Sequence, residues 1–239
     1  MTLSPDKPIL RHGPSQNARC GCTDHRPAAG ADDAALTKID NRESVLRVME
    51  LFGNREGVGQ SMLVIDPARA DAYKQKVGSH LSFIGVKLIV GGQTLAEQMK
   101  AAREKLTAEV THVIVHDAAR PAVPYTDLDA LFALDPLQPA AAMGVRVAGM
   151  LAEAGALPGL GNRVERSVLQ VMTPLRFTRS TYDAVCEAGA LPSEFYLISA
   201  SPLNVRCGDH DPKYIKTMID LLPKPKAKPP SSPFEEAQW

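Results

Sequence analysis

Thr111–Pro124 reads THVIVHDAARPAVP, and this stretch decides the fold. It opens as an alternating and then continuous apolar run, the pattern of a buried strand. It stops abruptly at Asp-Ala-Ala-Arg-Pro. Asp117 and Arg120 therefore stand at the carboxyl end of that strand, with only Ala118 and Ala119 between them.

Working outward, strand and helix signals alternate on both sides. Upstream, ALTKIDNRESVLRVMELF (Ala35–Phe52) predicts a short turn and then an amphipathic helix, with Ser44 as cap and Val45, Val48, Met49 and Phe52 on one face. SMLVIDPA predicts a strand and DAYKQKVGSHL a helix. VKLIVGG is a strand running into Gly91 and Gly92, and Leu95–Glu109 is a helix of Ala, Leu, Glu, Lys and Arg. Downstream, YTDLDALFAL predicts a helix, and AAAMGVRV and part of ERSVLQVMTP predict strands. Thr178–Ala188 predicts a helix, LNVRCG a late strand and Pro212–Leu222 a last helix.

Such alternation specifies an α/β fold, a three-layer sandwich around a mostly parallel sheet. Ligands of these sheets sit beyond the carboxyl ends of the strands. Asp117 and Arg120 lie at such an end. Position alone leaves a second reading equally open, in which Asp117 caps the next turn and Arg120 makes a surface ion pair.

Bulk properties narrow the function. The chain has 239 residues, 44% hydrophobic and 23% charged, as expected of a globular protein with a substantial core. Lys+Arg and Asp+Glu are equal at 27 each, which argues against an extended nucleic-acid surface. Four cysteines make no disulfide framework, the start lacks an apolar signal core, and no run is long enough to cross a membrane. The expected location is cytoplasmic. Residues 1–34 read as an irregular segment, 35–222 as the folded domain, and 223–239, rich in Pro and Lys, as a disordered tail.

VHDAARP, the preceding VGG with its helix, and ERSVLQVMTPLRF occur in an order and spacing that resemble the 2-C-methyl-D-erythritol 4-phosphate cytidylyltransferases of non-mevalonate isoprenoid synthesis. The resemblance spans about residues 36–222. It implies a Rossmann-like nucleotidyltransferase fold and a homodimer with a protruding β-arm, here around 149–162. It also implies CTP and a sugar- or polyol-phosphate as substrates, pyrophosphate as product, and Mg²⁺ at the triphosphate. By the same resemblance Asp117 is placed at nucleotide and metal, with Ala118, Gly91 and Gly92 beside the nucleotide. Arg120 holds the site together, and Arg166 and Thr173 meet the substrate phosphate. Such chemistry needs basic groups, backbone donors and a cation to neutralise a pentavalent phosphorus.

The chain departs from that pattern at several positions. For the loop AAGxGxRM, Gly13 is the candidate start, and the AAG at Ala28–Gly30 has no strand signal before it. The triphosphate lysine aligns with Ala34, leaving Lys38 as the candidate substitute. In GGxxRxxSV, Leu95 replaces the arginine and Gln98 the serine. Gly149 and Ala152 stand for Asp and Lys in the arm. Pro212 and Tyr214 stand for the Asn and Lys near the end, with Lys213 and Lys216 adjacent. Loss of one preorganised donor costs about 3 kcal/mol of transition-state stabilisation. Three expectations follow: a family member with weak or no native turnover, a transferase for another sugar- or polyol-phosphate, or a non-catalytic dimeric scaffold.

Remaining signals have plainer readings. Cys20, Cys22 and His25 could ligate a metal, but their spacing is not the common zinc pattern, and a loop is the simpler expectation. His116 could act as a base or simply pack, with His112 on the same strand face. His210, between Asp209 and Asp211, could bind a metal or sit in a turn before the last helix.

Overall fold

The structure is a computed structural model that describes residues 18–23, 33–147 and 168–223. In chain order the strands are β1 (Ala18–Thr23), β2 (Lys38–Ile39), β3 (Arg42–Glu43), β4 (Val58–Ile65), β5 (Lys87–Val90), β6 (His112–Asp117), β7 (Ala140–Arg146), β8 (Leu169–Thr178) and β9 (Tyr196–Ser199). The helices are α1 (Ser44–Gly53), α2 (Ala70–Phe83), α3 (Leu95–Arg103), α4 (Tyr125–Phe132), α5 (Arg179–Ala188) and α6 (Pro212–Asp220). Seven strands form one sheet in the order β5-β4-β1-β6-β8-β7-β9. Only β8 runs against its neighbours. Strands β2 and β3 form a separate hairpin whose turn residues Asp40 and Asn41 both have positive φ, as a tight two-residue hairpin requires.

The alternating side chains of the strands feed two helical layers. Leu63, Ile65, Ile114, Ala141 and Met143 pack with α1, α2 and α4 on one face. Val113, Val115, Ala140, Ala142, Leu175 and Phe177 pack with α3 and α5 on the other, where Met62, Val64 and Ile89 extend the contact. All six residues of β6 are buried, which explains its unbroken apolar run. The three-layer, mostly parallel architecture is therefore as the sequence predicts.

Four details differ. The segment expected to be irregular contributes β1, which lies between β4 and β6 with a parallel ladder on each side. ARCGCT carries little strand signal of its own, and pairing on both edges supplies what propensity lacks. The last strand is Tyr196–Ser199; at 203–208, where the sequence predicts a strand, there is only an isolated bridge from Cys207 to His210. Helix α3 ends at Arg103, well short of Glu109. Ser44 is the first residue of α1 rather than its cap; Glu43 holds that position without a side-chain bond, and Ser44 Oγ donates instead to Ala118 O at 3.1 Å. The expected arm and tail lie outside the described residues, apart from Pro223. Among the described residues no helix is long and apolar enough to cross a membrane.

Candidate functional site

Strand β6 ends at Asp117, which is 2% exposed, and its carboxylate is bonded on both oxygens. Oδ1 accepts the Ala119 N–H at 2.9 Å, closing the turn that the Arg120 N–H to Asp117 O bond completes. Oδ2 accepts Arg206 Nε–H at 2.9 Å, and Arg120 Nε stands 3.7 Å away. The Asp117 N–H donates to Thr173 Oγ1 at 3.2 Å, tying β6 to β8. The second sequence reading of the pair is thus partly met. Asp117 caps a turn, and Arg120 pairs with it, but at a nearly buried strand end rather than on the surface.

A loop from residue 201 to 210 closes over this end. Arg120 donates through Nη1 to Asn204 O at 2.8 Å, Asn204 Nδ2 donates to Thr173 O at 2.8 Å, and the Cys207 N–H donates to Ala119 O at 2.8 Å. Burial pulls the Arg120 guanidinium below its usual pKa; Asp117 opposes this and Arg206 adds to it. Between the loop and β8 lies a cleft of about 150 Å³ lined by Arg120, Gln170, Met172, Asn204, Arg206 and His210 among others. Asn204 Oδ1 is buried there with no donor among the described residues. The arrangement can hold a small polar group against two guanidinium ions.

Arg206 is the site residue that sequence reasoning missed. Nothing local marks it: LNVRCG reads as a strand, and Arg206 reaches Asp117 only through the fold. Of the residues predicted from sequence, the structure gathers Asp117, Ala118, Arg120 and Thr173 at one strand end. Gly91 and Gly92 follow β5, which is separated from β6 in the sheet by β4 and β1. Both positions are too close-packed for a side chain: a Cβ on Gly91 would lie 2.6 Å from Val64 Cγ1, and one on Gly92 would lie 2.2 Å from Glu97 Cβ. Glu97 itself accepts the N–H groups of Gln93 and Thr94 in a capping box with Thr94, so the backbone donors at the start of α3 already hold a carboxylate.

Lys38 lies on β2, two-thirds exposed, 3.7 Å from Glu43. Lys216 is tied to Asp40 and Asp220 at 3.2 and 2.8 Å. Gly13 and Arg166 lie outside the described residues. Gly13 precedes β1 in the chain, so it cannot start a loop that follows that strand; the residues that do follow it include Ala28–Gly30. His116 is fully buried, donates Nε2–H to Arg120 O at 3.0 Å and stacks near Phe52. Desolvation lowers its pKa to about 4, so at neutral pH it is an uncharged, packed imidazole and a weaker base than an ordinary histidine. His112 bonds Pro136 O, and burial lowers its pKa too. Cys20 and Cys22 are placed on β1, and His25 lies outside the described residues.

The Mg²⁺ implied by the resemblance finds a poor host in these side chains. A hard dication takes oxygen ligands, whereas the neighbours of Asp117 Oδ2 are two cations. Among the described residues no three His, Cys, Asp or Glu side chains gather into a metal site, at His210 or elsewhere.

A mostly parallel sheet with one reversed strand, helices on both faces and a DAAR turn at the end of a central strand define a nucleotidyltransferase-type α/β sandwich. Comparison with known proteins agrees. Residues 24–208 match the family model of 2-C-methyl-D-erythritol 4-phosphate cytidylyltransferase (IspD), and the chain belongs to that family. It is 26% identical over 184 residues to the 2-C-methyl-D-erythritol 4-phosphate cytidylyltransferase of Rhodopirellula baltica, covering 69% of this chain and 73% of that protein. It is 32% identical over 126 residues to the bifunctional enzyme IspD/IspF of Rhodobacter capsulatus, a match covering 51% of this chain and 31% of that protein. Among solved structures, a 4-diphosphocytidyl-2C-methyl-D-erythritol synthase superposes with a TM-score of 0.66 at 22% identity, covering 86% of this chain and 99% of that one. The cytidylyltransferase from Thermus thermophilus gives a TM-score of 0.63 at 18% identity, covering 85% and 97%. At such identities the solved structures establish the fold alone.

Proposed function

We propose that this chain is a divergent member of the family whose native transfer of a cytidylyl group from CTP to 2-C-methyl-D-erythritol 4-phosphate is weak or absent. In that reaction a phosphate oxygen of the acceptor bonds to the α-phosphorus of CTP, the bond to the β-phosphate oxygen breaks, and pyrophosphate leaves. The enzyme must hold two polyanions together and stabilise added negative charge. The observation that carries the reading is the engagement of Asp117: each carboxylate oxygen already accepts a bond from within the chain, one of them from a guanidinium. Three further features support it. Arg120 commits Nη1 to a backbone carbonyl. Ala34, aligned with the triphosphate lysine, is 3% exposed in a 3₁₀ turn. At α3, aligned with the base-reading segment, the Leu95 side chain offers no hydrogen bond, and Glu97 takes the N–H groups of Gln93 and Thr94.

The test is pyrophosphate release with CTP, methylerythritol phosphate and Mg²⁺, alongside calorimetry with CTP, UTP, ATP and GTP. Turnover at ordinary enzyme rates, on the order of 1 s⁻¹ or more, overturns the proposal. Tight binding of another nucleotide would point to a transferase for a different sugar- or polyol-phosphate. No binding at millimolar nucleotide would point to a scaffold. The homodimer expected from the family is checked by sedimentation.

A further inference from the structure

We infer that Arg206 stands at Asp117 as a fixed organic cation in place of a divalent metal ion, so that this strand end holds no metal on its carboxylate. The inference rests on the geometry of the site and not on the proposed loss of turnover.

Asp117 can offer a metal only Oδ1 or Oδ2. Oδ1 holds the Ala119 N–H at 2.9 Å, and that bond shapes the turn carrying Ala118 to Arg120. Oδ2 holds Arg206 Nε at 2.9 Å. A metal entering at Oδ2 would share that oxygen with the Arg206 guanidinium and sit beside Arg120, whose Nε is 3.7 Å from the same oxygen. Like charges at such range in a nearly dry site repel strongly.

Arg206 is also fastened from behind. Its Nη1 donates to Cys207 O at 3.3 Å and lies 3.7 Å from Asp209 Oδ1, and the side chain is only 14% exposed. The loop carrying it is pinned by the Cys207 N–H to Ala119 O bond and by Asn204 to Thr173 O. Gly208 has φ +91, and a Cβ there would lie 3.2 Å from Ala34 Cβ and 3.4 Å from Arg206 Nη1, so the loop packs closely against Ala34 at this point. A guanidinium and a dication both neutralise a carboxylate, but only the guanidinium brings planar, directional donors. The site is thus charge-balanced by the chain itself.

Mn²⁺ is the probe, because it replaces Mg²⁺ and broadens nearby amide signals in nuclear magnetic resonance spectra. With the wild-type chain, Mn²⁺ with and without CTP is expected to leave the Asp117, Ala118 and Ala119 amides no broader than the average amide. Selective loss of those three signals overturns the inference, and this measurement needs no variant. Arg206→Leu is then expected to bind Mn²⁺ at least tenfold more tightly than wild type, with the gain absent in Arg206→Lys and in the Arg206→Leu/Asp117→Asn double variant. A folded Arg206→Leu chain with no gain also overturns it. Turnover without broadening at Asp117 would refute only the proposed weak activity, whereas broadening without turnover would refute only this inference.

Discussion

Arg206 Nε lies 2.9 Å from Asp117 Oδ2, joining two residues 89 positions apart in the chain. The pair is nearly dry, with side chains 14% and 3% exposed. Removing one member of a buried pair leaves the other charge uncompensated, which typically costs about 3–5 kcal/mol. Asp117→Asn strips the counter-ion from both Arg120 and Arg206 and is expected to cost about 3 kcal/mol. Arg206→Leu leaves Asp117 with Arg120 and the Ala119 N–H, so about 2 kcal/mol is expected, a scaling of the same range. Urea unfolding at pH 7.5 checks both, and a smaller loss for Asp117→Asn than for Arg206→Leu contradicts this ranking.

His116 gives the protein a signed pH dependence. Its pKa in the fold is about 4, against an ordinary 6.5, because burial disfavours the imidazolium. Between those values the unfolded chain takes up a proton that the folded chain does not. Stability is therefore full above about pH 6.5 and falls as the pH drops toward 4, by about 3 kcal/mol for this group alone. Burial lowers the pKa of His112 as well, so it acts in the same direction. Denaturant midpoints measured from pH 7.5 to 4.5 should fall, and His116→Gln should flatten the slope.

Ser44 fastens α1 to the DAAR turn. Its hydroxyl is fully buried and donates to Ala118 O at 3.1 Å. Ser44→Ala leaves a buried carbonyl short of a donor, at a cost of about 1–2 kcal/mol. Ser44→Thr keeps the donor, and its loss should come from crowding only. Guanidinium titrations of the two variants distinguish these cases.

Gly92 is required by the start of α3. Any Cβ there would overlap Glu97, which closes the capping box with Thr94. Gly92→Ala should destabilise by about 2–4 kcal/mol through lost capping and overpacking. Calorimetric melting should show a Tm lower by roughly 5–10 °C. Glu97→Gly removes the obstructing Cβ together with the cap, so the Gly92→Ala/Glu97→Gly pair should lose less than the sum of the single variants.

The sequence by itself determined the layers and most of the elements, because periodicity records which faces a segment buries. The unbroken apolar run of β6, the helical faces of α1 and α5 and the alternation around them allow few arrangements other than a mostly parallel sheet between helices. It also placed Asp117, Ala118, Arg120 and Thr173 together, since those words carry the family resemblance. The tertiary structure decided the rest. Strand β1 is a strand because β4 and β6 pair with its two edges, which no local preference in ARCGCT could signal. The loop after β9 takes an irregular path where the sequence predicts a strand: the Cys207 N–H and the Asn204 C=O bond the turn after β6, and the Asn204 side chain bonds Thr173 O on β8. Above all, the partner of Asp117 could not be read from the chain. Electrostatic pairing acts through space, and only folding brings Arg206 across 89 residues to the oxygen that a motif would assign to a metal.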